Sequence, residues 1–455
     1  MNKIGIIADD LTGGTTVGTL MARSQIKTSV YFSSQDMPRA DEQQAIVLTS
    51  DSRHLTPDKA QSAVYDCFKS LKESGATYFS KRIDTTLRGG IGYEIDAMLD
   101  HMSEDAVAIV VPSMPQSNRI VVGGYSVIEG QALSETDVSK DVLNPVTESN
   151  IPKILHNQSK HKIGELDLGT ILSGASTMKE ILTKMKLKNY KVVVCDAINL
   201  EQISKIAQVI KDLNWDVLAV DPGPFTQALA LARGFGEKSE TTAIKDIENS
   251  LNVQSNLLVV AGSATEKTKK QLNELSTHNN TSMIHANPNK LLETKQKQLE
   301  QKSISKKVIN QFNQPDINIV TIETAISNVV LNLKAKEQEL GLNEGEASQT
   351  INLGLANIVD EVLKNIDYIS GLYLTGGDTM VTTLKALGAK GIELIDYVIP
   401  QTDLGKIIGG SYEDLLIVGK GGLTGDLHTA IKAVNKIYEE YQKENLIGVK
   451  RSEYK

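Results

Sequence analysis

Short, mainly apolar runs recur along the whole chain, each closed by a polar or glycine-rich turn and most followed by an amphipathic stretch. They fall at 4–8, 45–49, 106–111, 192–195, 217–220, 257–260, 317–322, 370–375 and 415–418. An all-apolar run of this length reads as a strand buried on both faces, and strands alternating with helices build a mostly parallel sheet flanked by helices. The stretches 57–74 and 199–213 carry the helical periodicity between them. The fold class is therefore α/β. A chain of 455 residues exceeds one ordinary domain and has room for about two or three. The polar, charged segment 234–256 has no strand pattern and is the expected boundary, leaving domains at 1–235 and 250–445. A second polar stretch, 287–315, reads as a solvated helix.

Charge and cysteine content exclude several functions. A net charge of −8 disfavours a polyanion-binding surface, and 4% aromatic residues provide no stacking platform for single-stranded nucleic acid. The two cysteines, Cys67 and Cys195, sit in apolar contexts and form neither a disulfide framework nor a zinc cage. The seven histidines show no metal-ligand spacing, which disfavours a metallohydrolase. No apolar run is long enough to span a membrane, and the first strand starts without a signal peptide, so the expected compartment is the cytoplasm.

The first strand ends in "ADDLTGG": Asp9 and Asp10, then Thr12, Gly13 and Gly14. Strand, polar turn, helix is where open α/β sheets place ligands. The alternative is that one of these acids only caps the helix entered near Thr15. Further polar groups follow other strands: Asp51, Ser52, Arg53 and His54; Lys81, Asp84, Thr85, Thr86 and Arg88; Asn118 and Arg119; Asn144, Thr147, Glu148 and Ser149, with Thr147 or Ser149 placed to cap a helix. Singly each is turn chemistry. Together they offer carboxylates and hydroxyls for a polyol and cations for a carboxylate, the needs of a small acidic sugar.

Three later turns are glycine-rich and each lies between a strand and a helix: Gly262, Ser263 and Thr265; Gly376, Gly377, Asp378 and Thr379; and Gly419, Lys420, Gly421 and Gly422. Glycine admits close approach of backbone N–H groups to an anion, and a helix N-terminus favours negative charge, so the set suits phosphates. There is no Walker motif, no G-x-G-x-x-G and no protein-kinase signature, since "GKGGLTG" has different spacing. Asp378 also reads as a plain helix N-cap.

"IADDLTGGTTVG", "SDSRHL", "IDTTLRGGIGYEI" and "NPVTESNIPKIL" strongly resemble the sugar-binding domain of the four-carbon acid sugar kinases, a family of threonate, erythronate and 3-oxo-tetronate kinases. The glycine-rich segments match the family's nucleotide domain in the same order, so the resemblance spans nearly the whole chain. It implies that Asp9, Asp10, Arg53, Lys81, Asp84, Thr85 and Thr86 line the sugar-acid pocket; Arg88 is a further substrate-binding candidate, and Asp10 or Asp84 is the expected catalytic carboxylate. It implies nucleotide contacts at Ser263, Gly376, Gly377, Asp378, Thr379, Gly419, Gly421 and Gly422, and an active site in the interdomain cleft. ATP and Mg2+ are the implied cofactors, with no metal ligands assigned, and a homodimer is the implied assembly. Three departures stand out: Thr16 where the family has a further Asp, Ile83, Thr85 and Gly90 within T-D-S-T-L-R-G-N, and Asn118 in place of a Gly. The expected activity is ATP-dependent phosphorylation of the C4 hydroxyl of a four-carbon sugar acid. Two alternatives are a nicotinamide-dependent sugar-acid dehydrogenase and a non-catalytic sugar-acid sensor.

Overall fold

The computed structural model describes residues 2–38, 43–141, 144–237, 255–324, 331–366 and 368–452. The chain divides into two compact units, residues 1–241 and 242–455. The expected boundary at 234–256 lies mostly outside the described residues.

The first unit runs β1 (Ile4–Ala8), α1 (Leu11–Arg23), β2 (Thr28–Tyr31), β3 (Ala45–Thr49), α2 (Pro57–Glu73), β4 (Tyr78–Arg82), α3 (Ile91–Leu99) and β5 (Val107–Val110). A hairpin follows, β6 (Arg119–Val122), β7 (Tyr125–Ile128) and β8 (Gln131–Ala132). The unit then closes with α4 (Ile151–Gln158), β9 (Ile163–Leu166), α5 (Leu168–Leu172), α6 (Ala175–Leu187), β10 (Val192–Cys195), α7 (Leu200–Leu213), β11 (Val217–Asp221) and α8 (Pro224–Ala232). Its strands pair in the order β2-β3-β1-β4-β11-β5-β10-β9, every pair parallel. Ile109, Val193 and Ala219 of the sheet pack with Met178, Ile203, Ile206 and Phe225 of the covering helices. Burying each such aliphatic side chain is worth about 1.5–3 kcal/mol.

The second unit runs β12 (Asn256–Ala261), α9 (Glu266–Leu275), β13 (Thr281–His285), α10 (Pro288–Leu292), α11 (Thr294–Phe312), β14 (Ile319–Glu323), α12 (Leu333–Leu340), α13 (Glu346–Leu363), β15 (Ile369–Thr375), α14 (Gly377–Ala386), β16 (Gly391–Ile399), β17 (Thr402–Ile408), β18 (Leu416–Lys420) and α15 (Thr429–Ser452). Strands β13-β14-β12-β15-β18 are parallel, and β17 and β16 add an antiparallel hairpin. The 287–315 stretch is α10 and α11. Ile304, Val308 and Phe312 are buried, so α11 has a core-facing side as well as a solvated one.

The two units share a winding. In each, the second and third strands lie to one side of the first and the fourth lies on the other: β2-β3-β1-β4 and β13-β14-β12-β15. The chain therefore reverses direction across β1/β4 and again across β12/β15. Such reversals open a crevice at the carboxyl ends of the strands, where doubly wound sheets bind ligands.

Candidate active site

In the first unit, β1 and β4 are register partners, with Ala8 opposite Arg82. Their carboxyl ends bring Asp9, Asp10, Arg82 and Asp84 together, and the turn after β3 adds Arg53. Asp9 is buried and holds two guanidinium groups: Arg53 Nε donates to Oδ2 at 2.8 Å and Arg82 Nη1 to Oδ1 at 2.9 Å. Arg53 Nη1 reaches Asp10 Oδ2 at 2.6 Å, and its Nη2 lies 3.9 Å from Asp84 Oδ1. Asp84 Oδ2 accepts from Thr86 Oγ1 at 2.5 Å and from Arg88 Nε at 2.6 Å, and Arg88 continues to Asp141 at 3.3 Å.

The capping reading of the double acid holds, and the capping acid also carries an ion pair. Asp10 caps α1, its Oδ1 accepting from the Gly13 N–H at 2.7 Å, while the same carboxylate meets Arg53. Gly13 has its own reason: an added Cβ would stand 1.9 Å from Arg82 Nη1, so the guanidinium lies where any side chain would be. The helix starts at Leu11 rather than near Thr15 because Asp10 supplies the cap. Thr16, the family's missing Asp, back-bonds to Thr12 O at 2.9 Å.

Burial alone would raise the pKa of Asp9, but Arg82 and Arg53 outweigh it and hold the carboxyl below its ordinary value. Burial is likewise overridden at Asp84, chiefly by Arg53 and Arg88, so that carboxyl stays well below the usual carboxylate range. Arg53, despite burial, is pushed up by Asp9, Asp84 and Asp10. Around Asp9 the charges balance, three carboxylates, Asp9, Asp10 and Asp84, facing three guanidinium groups, Arg53, Arg82 and Arg88, and Asp141 adds a further carboxylate at the edge, on Arg88.

Arg82 was absent from the sequence reading, although it sits between two residues that were singled out. Lys81 was expected beside the substrate. Its side chain is fully buried instead, with Nζ 2.8 Å from Glu94 Oε2, itself buried. Thr85 is buried next to Asp84. His54 contacts Asn144 through Nδ1 and is exposed. Asn150, not Thr147 or Ser149, caps α4, accepting from the Lys153 N–H at 2.9 Å. An open cavity of about 340 Å³, lined by Leu87, Gly89, Asn144, Val146, Thr147 and Gln158, flanks Arg88.

Arg119, which opens β6, stands apart from this balance. Its Nε is buried without a hydrogen-bond partner, and Nη1 donates to the Ser117 carbonyl at 2.9 Å. Burial lowers its pKa, and Asp84 and Glu129 act on it only through space.

In the second unit, the turns after β12, β15 and β18 lie side by side. Thr265 caps α9, and its Oγ1 donates to the Gly422 carbonyl at 2.7 Å. The Gly376 N–H donates to Lys420 O at 2.8 Å. A Cβ at Gly422 would stand 2.4 Å from Ser263 Oγ, and one at Gly262 would stand 2.3 Å from Thr379 Oγ1, so the loops touch through missing side chains. Gly419 is equally constrained, a Cβ there meeting Met380 Sδ at 2.2 Å. Gly376 holds φ +111 and is the N-cap of α14. Asp378 is not that cap; it is an exposed residue of the first turn, two positions on. The N–H groups of this turn have no acceptor within the helix and face the crevice end of the sheet, as an anion requires. Gly377 and Thr379 belong to the same turn, Thr379 Oγ1 being held by Asn352 at 2.9 Å.

Among the described residues no group of three or more His, Cys, Asp or Glu side chains is arranged to hold a metal ion. No described helix is long and apolar enough to cross a membrane.

An acid–arginine cluster thus lies at the switch point of the first unit, and three touching glycine-rich turns lie at that of the second. Comparison with known proteins names the class. Residues 4–229 match the model of a sugar-binding N-terminal domain and 258–430 that of a nucleotide-binding C-terminal domain. A D-erythronate kinase of Heliobacterium modesticaldum is 33% identical over 98% of this chain and 99% of its own. A D-threonate kinase of Salmonella typhimurium is 27% identical over 96% of this chain and 99% of its own. A crystal structure of a Haemophilus influenzae protein shares the fold, with a TM-score of 0.75 at 22% identity over 95% of this chain and all of that one. The chain belongs to the four-carbon acid sugar kinase family and is a phosphotransferase. These named relatives are kinases, neither dehydrogenases nor sensors.

Proposed function

We propose that this kinase transfers the γ-phosphoryl group of ATP to the C4 hydroxyl of D-erythronate or D-threonate, with a sugar-acid domain (1–235) binding the acceptor and a nucleotide domain (250–445) binding ATP. The observation that carries the reading is the balanced cluster around Asp9. It holds Asp10 as the carboxylate with an exposed face, its side chain 30% accessible against 4% for Asp9 and 7% for Asp84. D-Erythronate comes first because the relative of that name matches both chains end to end at 33% identity.

In this reading Asp10 orients the C4 hydroxyl and receives its proton as the O4–Pγ bond forms and the bond to the β,γ-bridging oxygen breaks, releasing ADP. Asp84, locked by Thr86 and Arg88, positions Arg53 and the substrate rather than exchanging protons. Thr85, Thr86 and Arg88 line the sugar side, and Arg82 takes the place expected of Lys81. Ser263, Gly376, Gly377, Asp378, Thr379, Gly419, Gly421 and Gly422 cradle the nucleotide. Mg2+ arrives with the phosphates, since Asp9, Asp10 and Asp84 are already engaged by arginine and Mg2+ keeps several waters when bound through substrate phosphates.

A charge-balanced cluster has no cation to spare for the substrate carboxylate. Arg53, expected in that role, is committed to Asp9 and Asp10. Arg119, whose buried Nε has no hydrogen-bond partner and which feels Asp84 only through space, is assigned the sugar carboxylate.

The test is ADP release with ATP, Mg2+ and a panel of D-erythronate, D-threonate, 3-oxo-tetronate, erythritol and threitol. The acids should be turned over and the uncharged tetritols far less, by roughly ten- to a hundredfold for one lost charged hydrogen bond of about 1.5–3 kcal/mol. Arg119→Ala should shrink that preference more than it alters the KM for ATP. Equal use of tetritol and tetronate by the unaltered enzyme would overturn the assignment.

A further inference from the structure

Among the described residues two lysines, Lys81 and Lys420, are buried almost completely, and they are treated oppositely. Lys81 is paired with Glu94. Lys420, the last residue of β18, is 2% exposed, yet no carboxylate pairs with it among the described residues. Its Nζ donates to the Gly421 carbonyl at 2.9 Å and lies 3.4 Å from Thr424 O and 3.5 Å from Thr268 Oγ1, all neutral oxygens. The nearest charge acting on it is of its own sign. Burial, with Lys267 adding to it, lowers its pKa to about 8.

A buried ammonium without a counter-ion is costly, and proteins ordinarily pair it. Here it is kept at the meeting point of the three anion-binding turns. Thr268, its hydroxyl neighbour, donates to the Gly422 carbonyl at 3.1 Å and sits 3.3 Å from Ser263 Oγ. The missing charge partner is thus supplied by what those turns hold.

We propose that Lys420 is the built-in counter-charge for the nucleotide phosphates, delivered from a strand end rather than from the start of a helix as in a Walker loop. The proposal rests on the nucleotide-domain reading above. It gives "GKGGLTG" a purpose that its glycine spacing alone did not: a point charge for phosphate, as a P-loop lysine provides.

The role has a signature that a merely structural lysine lacks. Removing an uncompensated buried charge should stabilise the nucleotide-free protein while weakening phosphate binding. Lys420→Met should therefore raise the melting temperature without nucleotide, and should weaken ATP and inorganic tripolyphosphate at least tenfold by calorimetry, leaving adenosine affinity nearly unchanged. Lys420→Gln, which keeps a hydrogen-bond donor for the Gly421 and Thr424 carbonyls but no charge, should show the same loss for tripolyphosphate. Wild-type-like tripolyphosphate binding by Lys420→Gln would overturn the proposal. So would a loss of fold in both variants, which would make Lys420 a clamp for the loop. Failure of the unaltered protein to bind either ATP or tripolyphosphate would instead sink the nucleotide-domain reading itself.

Discussion

Asp10 does two jobs that a substitution can separate. Asparagine caps helices as well as aspartate, so Asp10→Asn should leave the melting temperature within a few degrees of wild type. Removing the proton acceptor should nevertheless lower kcat by about a hundredfold or more, the usual scale of general-base catalysis. Near-normal turnover would reduce Asp10 to its cap. Gly13 offers a second residue-scale test, because a Cβ there collides with Arg82 Nη1. Gly13→Ala should cost about 1–3 kcal/mol of stability, the range for overpacking, measured by denaturant unfolding. Most of that loss should vanish in an Arg82→Met background, where the obstructing guanidinium is gone. An equal cost in both backgrounds would place the strain elsewhere.

At the scale of elements, the strands that sequence showed were those made only of apolar residues, such as Ile4–Ala8 and Val192–Cys195. Strand β4 was hidden because "YFSKR" ends in two charges, and nothing in its pattern reveals that Lys81 meets a buried Glu94 or that Arg82 meets Asp9. Asp9 is far from Arg82 in sequence, so the strand that, with the turn after it, supplies half of the acid–arginine cluster was illegible until the sheet order placed it beside β1. The antiparallel β16–β17 hairpin escaped as well, since alternating runs such as "GIELIDYVI" are buried on one face only. The glycine-rich turns were legible as loops, but not their mutual contact. That contact is testable: Gly422→Ala puts a Cβ 2.4 Å from Ser263 Oγ and should separate two of the turns. Nucleotide affinity should fall tenfold or more by calorimetry while D-erythronate affinity is retained. Parallel losses for both ligands would contradict a division of binding between the two domains.

For the whole molecule, buried carboxylates set opposing pH limits. Asp9 and Asp84 have lowered pKa values, so the stability they contribute is present above the unfolded value of about 3.9 and is lost as pH falls through their folded values. Asp221 works in the other direction: burial outweighs its hydrogen bonds from Thr226, Gly223 and Phe225 and raises it to about 6. Its contribution is full below the unfolded value and is lost as pH rises through about 6. From these three groups the melting temperature should therefore peak near about pH 4 and fall as pH rises toward 6 in a calorimetric series. A monotonic rise to pH 8 would show that Asp221 is ionised without cost.

The order of the two family domains and the reaction class could be read from motifs, whereas which arginines are already neutralised by acids could not, because it depends on the sheet order. The most direct measurement of the central claim is the position of the new phosphate. The enzyme is incubated with ATP, Mg2+ and D-erythronate, and the product is analysed by phosphorus–proton correlation NMR. Coupling of the phosphorus to the two C4 protons, with one ADP formed per product, is the predicted result. Phosphate on C2 or C3, or ADP formed without a phosphorylated acid, would contradict it.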